Sequence, residues 1–290
     1  MLSDDRRREI AAFLRIRRMR LQPEDVGLPR GMRRRTPGLR REEVAALANV
    51  STEWYTWLEQ ARDVRPSPDT IRRICAALRL EPAECQHLLA LCGYGTETVQ
   101  NGAPDETVIR PQLQLLLNRL AYCPAWFLGE RWDILGWNRA ATVVHGDLAA
   151  MKGIERNGLH QIFLNPRMRE MLVDWERHAR DAVAKLRMVH SRYIGDPWFN
   201  ELIDLLKARS PEFAAWWDEH NVRLPGSGVK VYIHPEAGGL TFHYATLEVK
   251  SELGKPLQMV TYMPAPETDT EEKIQALLST SAPSPAVSAA

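Results

Sequence analysis

Apolar positions recur at helical spacing through the first third of the chain. Ile10, Phe13, Leu14 and Arg17 fall on one stripe of a helix predicted over residues 4–20, with Ser3 as its cap and Asp4 and Asp5 at the positive end of its dipole. Pro23, Gly27, Pro29 and Gly31 then break the chain. A short helix over about 40–48 follows, with Val44, Ala45, Leu47 and Ala48 on its apolar side. Asn49 stands where a tight turn is needed, Val50 is an apolar plug, and Ser51 caps a second helix, TEWYTWLEQA. Ser67-Pro68-Asp69 opens a helix through Leu78, and Pro82 opens another to about Cys92, closed by Gly93. Residues 1–95 therefore read as an all-α domain of five helices.

Residues 96–110 are polar and turn-rich and read as a linker. Pro111 opens a helix with Leu113, Leu116, Leu117 and Leu120 on one stripe. AWFLG and WDILGW read as a hairpin turning at Glu130-Arg131, and Asn138 caps the helix after it. Residues 160–222 are helical in patches, with openings at Asp174, Pro197 and Ser210-Pro211-Glu212. The period then becomes two: Val229, Val231 and Ile233 alternate with Lys230, Tyr232 and His234. Two further strands, LTFHYATLEV and PLQMVTYMP, complete a meander whose first turn is expected at Gly238-Gly239. Thr268 and Glu271 form a capping box for a last helix. Residues 111–280 thus predict an α+β domain with five antiparallel strands, and 281–290 a disordered tail.

Charge changes this picture. The 290 residues carry 38 Lys+Arg and 37 Asp+Glu, a net of +1. Residues 1–95, however, hold 18 Arg, no Lys and 13 acids, near +5, and the remainder 20 bases and 24 acids, near −4. Such a split suggests a polyanionic partner for the N-terminal part. No apolar run approaches the ~18 residues of a membrane span, and MLSDDRRREI lacks the apolar core of a signal peptide. Cys75, Cys85, Cys92 and Cys123 form no C-x-x-C and read as reduced, core-packed thiols of a cytoplasmic protein.

The order small residue Ala45, turn Asn49, Val50, cap Ser51, then Leu58 and Glu59 is that of a helix-turn-helix, whose second helix offers its N-terminus to the major groove. Residues 30–41, RGMRRRTPGLRR, lead into it with six arginines and no acid. Seven of nine Trp lie after the linker, which supports either an ordinary aromatic core or a pocket for an apolar ligand lined by aromatic and Met side chains such as Trp126, Phe242, Tyr244 and Met259.

PGLRREEVAALANVSTEWYTWLEQAR resembles the helix-turn-helix of bacterial Xre-type regulators, and more narrowly that of the MmyB-like group. WNRAA, DWERHARDAVAKLR, SPEFAAWWDEHNV and GVKVYIHP resemble that group's ligand-binding domain. The resemblance implies a lambda-repressor-like N-terminal fold and a PAS-like C-terminal fold that binds a fatty acid or similar apolar effector. It places Arg41, Thr52, Glu53 and Thr56 on the DNA, the last three at base edges, with Arg33, Arg34, Arg35 and Arg40 on phosphates. Glu59 is expected to be structural, Tyr55 to be core, and His220 and His234 to hold loops. The group has Gly where this chain has Asn49 and Ala61. Ala61 would be strained at positive φ, so a differently shaped loop is one expectation there.

Catalytic motifs are missing. There is no H-E-x-x-H, P-loop, G-x-G-x-x-G or G-x-S-x-G. His234 and His243 on neighbouring strands could share a face and hold a metal, which keeps a metal-dependent enzyme open as an alternative, beside a helix-turn-helix used for protein rather than DNA. The expectation is a non-enzymatic transcription regulator without a cofactor or membrane insertion. It binds double-stranded DNA as a homodimer, because one recognition helix reads too few base pairs, and it senses an apolar small molecule.

Overall fold

The computed structural model describes residues 2–29, 37–94, 109–224, 227–250 and 256–281. Arg33, Arg34 and Arg35, nearly all of the expected linker and nearly all of the expected tail lie outside them. The chain divides into two compact units. The first holds residues 1–101 with 183–203 and 214–224; the second holds 102–182, 204–213 and 225–290.

In the first unit, α1 (Asp4–Arg20) starts at Ser3, whose hydroxyl accepts from the Arg6 amide, and a 3-10 turn (Pro23–Val26) follows. The motif helices are α2 (Arg41–Leu47) and α3 (Thr52–Glu59), with Ser51 Oγ accepting from the Trp54 amide at 3.1 Å. Helices α4 (Pro68–Ala77) and α5 (Pro82–Leu91) complete the expected five. Phe13, Leu14, Leu39, Val44, Ala48, Tyr55, Ile74 and Leu91 are sealed together in one core. Leu47, expected on the apolar side, is exposed.

Both turns of the motif are left-handed, Asn49 at φ 52° and Ala61 at φ 58°. Ala61 thus takes the left-handed conformation that glycine adopts without penalty, and carries the strain. Cys75 of α4 and Cys85 of α5 are joined as a disulfide, their Cα atoms 5.7 Å apart, which corrects the expectation of four reduced thiols. Helix pairing brought together two cysteines whose spacing of ten gave no signal. Cys92 and Cys123 remain thiols, and burial pushes Cys92 up to about 12.

The second unit is built on a five-stranded antiparallel sheet, in the order β2-β1-β5-β4-β3. Its strands are β1 (Ala125–Leu128), β2 (Ile134–Trp137), β3 (Gly228–His234), β4 (Gly238–Lys250) and β5 (Pro256–Pro264). Helix α6 (Pro111–Arg119) covers one face through Leu117, which packs with Phe127, Leu135 and Met259. Helix α7 (Arg139–His145) begins at Asn138, which is buried and satisfies the Ala141 and Ala125 amides and the carbonyls of Leu117, Leu120 and Cys123. One asparagine thus ties the start of a helix, a strand and a preceding loop. Short helices α8 (Gly158–Leu164) and α9 (Pro166–Met171) follow.

Helices α10 (Trp175–His190), α11 (Pro197–Arg209) and α12 (Pro211–Asp218) each contribute to both units, and α13 (Thr270–Thr280) packs on α7 and β4. Two local expectations are corrected. The β3–β4 turn lies at Pro235–Ala237, where the His234 ring accepts from the Glu236 and Ala237 amides, so Gly238 already begins β4. Helix α13 has no capping box; Thr268 instead bonds Ala265 O and Thr270 Oγ1.

Relieving the left-handed alanine is a direct check on the motif loop. Ala61→Gly is expected to raise the unfolding free energy by about 0.5–1 kcal/mol, the left-handed penalty less glycine's entropy. Urea titration measures it, and an unchanged midpoint would mean that the loop relaxes freely.

Candidate nucleic-acid interface and ligand site

Helix α3 divides cleanly between inside and outside. Tyr55, Leu58 and Glu59 are buried, Thr52 and Glu53 are exposed, and Thr56 and Trp57 are half-exposed. The buried carboxylate of Glu59 receives Arg18 from α1 in fork geometry, Nε to Oε1 at 2.6 Å and Nη2 to Oε2 at 2.9 Å. Arg41 of α2 adds Nε to Oε2 at 2.8 Å. Burial would raise this carboxyl, but the two guanidiniums outweigh it and hold the pKa below the ordinary value. Glu59 is thus the structural residue the sequence suggested, and it fixes three helices at one point.

Of the expected DNA-contacting side chains, Arg40, Thr52 and Glu53 stand exposed on this unit. Arg41 is half-exposed and engaged with Glu59, and Thr56 Oγ1 donates to Thr52 O at 2.7 Å.

In the second unit the alternation along β3, β4 and β5 puts Lys230, Tyr232, Phe242, Tyr244 and Tyr262 on one face, joined by Trp126 of β1. Tyr262 is the centre, with ring centroids 4.8 Å from Trp126, 5.8 Å from Phe242 and 6.1 Å from Tyr244. Met259, the fourth expected lining residue, points to the opposite face and packs in the α6 core, because strand neighbours alternate sides. Register also separates His234 from His243: one lies on each face, so they form no metal pair. Among the described residues no group of three His, Cys, Asp or Glu could hold a metal ion.

Sequence reasoning missed the polar members of this face. Lys230 Nζ donates to Tyr262 Oη at 2.8 Å and sits 5.2 Å from the ring centroids of Tyr244 and Tyr262. His145 of α7 is buried between Trp126, at 5.2 Å, and Tyr232, at 5.3 Å, and neither ring nitrogen has a hydrogen-bond partner. Burial, with the charge of Lys230, lowers it to about 3, so it is neutral. The signal available was the even-numbered register of the strands, which groups Lys230 with the aromatic residues. Nothing in the sequence placed His145 there.

Residues 109–278 match the family model of the MmyB-like transcription regulator ligand binding domain, and residues 9–88 match that of a helix-turn-helix domain. The chain belongs to the MmyB-like transcription regulators. No curated protein matches it. Among the described residues no helix is long and apolar enough to cross a membrane.

Four histidines held well below their ordinary value make stability depend on pH. His87 and His145 are held at about 3 and His178 and His190 at about 4, in each case chiefly by burial. Unfolded, each takes up a proton below about 6.5. Above that pH no proton has to be given up to bury them, so this part of the cost appears only on acidification, and stability falls as pH drops from 7 toward 4. The slope per histidine is about 1 kcal/mol per pH unit. Urea unfolding at pH 7, 6 and 5 measures this, and His87→Gln is expected to remove one proton's share of the slope.

Proposed function

We propose that this regulator binds double-stranded DNA through α3 and responds to an amphiphilic effector held on the aromatic face of the sheet. The observation that carries the reading is the division of α3: Tyr55 and Leu58 pack inward and Glu59 anchors the helix, leaving Thr52 and Glu53 exposed for base edges, with the half-exposed Thr56, whose hydroxyl donates to Thr52 O and can still accept, beside them. Arg40 and Arg41, with Arg33, Arg34 and Arg35 of the basic stretch, are assigned to phosphates. A homodimer supplies the second recognition helix that useful specificity needs. Replacing Arg34 and Arg35 together by Ala is expected to weaken binding to all sequences and flatten the salt slope by at most ~2. Anisotropy titrations across salt concentrations measure it; an unchanged slope takes this stretch off the DNA.

The effector we assign is an apolar chain with a carboxylate head, of the fatty-acid type. The aromatic face supplies apolar contact, Lys230 supplies the cation, and the unpartnered His145 supplies a neutral hydrogen-bonding group. Calorimetry with laurate tests this. Lys230→Met is expected to weaken laurate at least tenfold and dodecanol hardly at all. Equal loss for both would remove Lys230 from head-group recognition, and no heat with either would defeat the effector assignment.

A further inference from the structure

Arg187 heads the fully buried side chains by volume among the described residues. It lies within the stretch matched by the ligand-binding family model, on α10, yet belongs to the unit of the helix-turn-helix. There its Nη1 donates to Glu9 Oε1 of α1, its Nη2 donates to the Trp217 carbonyl, and its guanidinium lies 4.1 Å from a Trp217 ring centroid. His220 Nδ1 is 3.2 Å from the same Glu9 oxygen. Other arginines of α1 hold the same segments: Arg17 donates to the His220 carbonyl, and Arg20 to Glu219 O and Asn221 Oδ1, both at 3.0 Å. The far end of α1 carries Arg18, whose partner is Glu59 of the recognition helix. Glu9 and Arg18 lie about 14 Å apart along the helix axis at 1.5 Å per residue.

We propose that Arg187 is a positioning residue for the recognition helix: it fixes α1 through Glu9, and α1 fixes α3 through the Arg18–Glu59 fork. A buried guanidinium that loses its carboxylate must find water or another acceptor, and α1 has to shift to admit one. That shift is felt at Glu59, because both of its oxygens are already committed in fixed geometry. Arg187 itself is not among the side chains assigned to DNA, so its influence passes through α1. The inference rests on the DNA-binding reading for its functional meaning. It adds that a residue encoded within the ligand-binding region completes the DNA-binding unit.

The test uses the full chain with Arg187→Met, Glu9→Gln and the double variant. Anisotropy measures affinity for a duplex selected from a random pool and for an unselected duplex, with circular dichroism reporting the folded fraction. The expected result is a loss of at least tenfold in the selected-to-unselected affinity ratio for each single variant, with the double variant no worse than the weaker single. Non-additivity of this kind marks a shared contact. An unchanged ratio in both singles, or equal loss on both duplexes in step with unfolding, overturns the proposal. If Arg187→Met does not fold, the nearly isosteric Glu9→Gln carries the test. If the wild type selects no duplex, the DNA-binding reading fails separately. Hydrogen exchange then decides: faster exchange at Thr52–Glu59 by at least tenfold, with Ala125–Leu128 unchanged, supports the positioning role, and unchanged exchange at Thr52–Glu59 refutes it.

Discussion

The N-terminal unit depends on a carboxylate that has been taken out of water. Glu59 could not stay ionised at that depth alone, since stripping its hydration costs several kcal/mol. Arg18 and Arg41 make it tolerable by filling its lone pairs from two other helices. The consequence is geometric more than energetic. A hydrophobic core of Phe13, Leu14, Val44 and Tyr55 would accept small rotations of α3 with little loss, whereas a forked ion pair accepts very few. The angle at which α3 leaves the surface is therefore set by charge, and its packing by oil.

The same logic recurs on the other side of α1. Its arginines serve several partners at once: Arg18 joins Glu59 to the Leu39 carbonyl, Arg17 joins Glu84 to the His220 carbonyl, and Arg6 and Arg20 also bind main-chain oxygens. Carbonyls at helix ends and turns have no partner of their own, and a long side chain with five donors can reach several of them. An arginine-only composition in this part of the chain thus serves cohesion as well as any anionic partner. In the second unit a single face of the sheet gathers the polar groups among aromatic rings. Lys230 shares its hydrogen with Tyr262, and His145 stays neutral with nothing to bond. An unpaired polar group at that depth is costly to fold around, and such groups concentrate where a ligand is to be met.

Much of this was legible. Ser3, Ser51 and Ser67 read as helix caps because a short hydroxyl before a periodic run has one use, and each accepts an amide hydrogen as expected. Asn138 and Ser210 were legible for the same reason. Asn49 was readable as a left-handed turn; Ala61 was not, because alanine does not advertise positive φ. Met259 was assigned to the wrong face, since residue type alone says that it is apolar and only register says on which side. The disulfide, the separation of His234 from His243 and the place of Arg187 were hidden for one reason: each is a relation between positions whose distance in space bears no relation to their distance in sequence.

By itself, then, the sequence determined the local code: where helices start and stop, which faces are apolar, that a helix-turn-helix precedes a mixed domain, and the family to which both belong. These follow from interactions spanning a few residues, where periodicity and capping are fixed by backbone geometry. Only the tertiary structure decided which charges would be buried together. Glu9 with Arg187 and Glu59 with Arg18 are separated by 178 and 41 residues, and each is an ordinary surface residue until the fold removes water from around it. Burial is a property of the closed chain, and with it come the shifted histidines, the committed carboxylates and the positioning of the recognition helix.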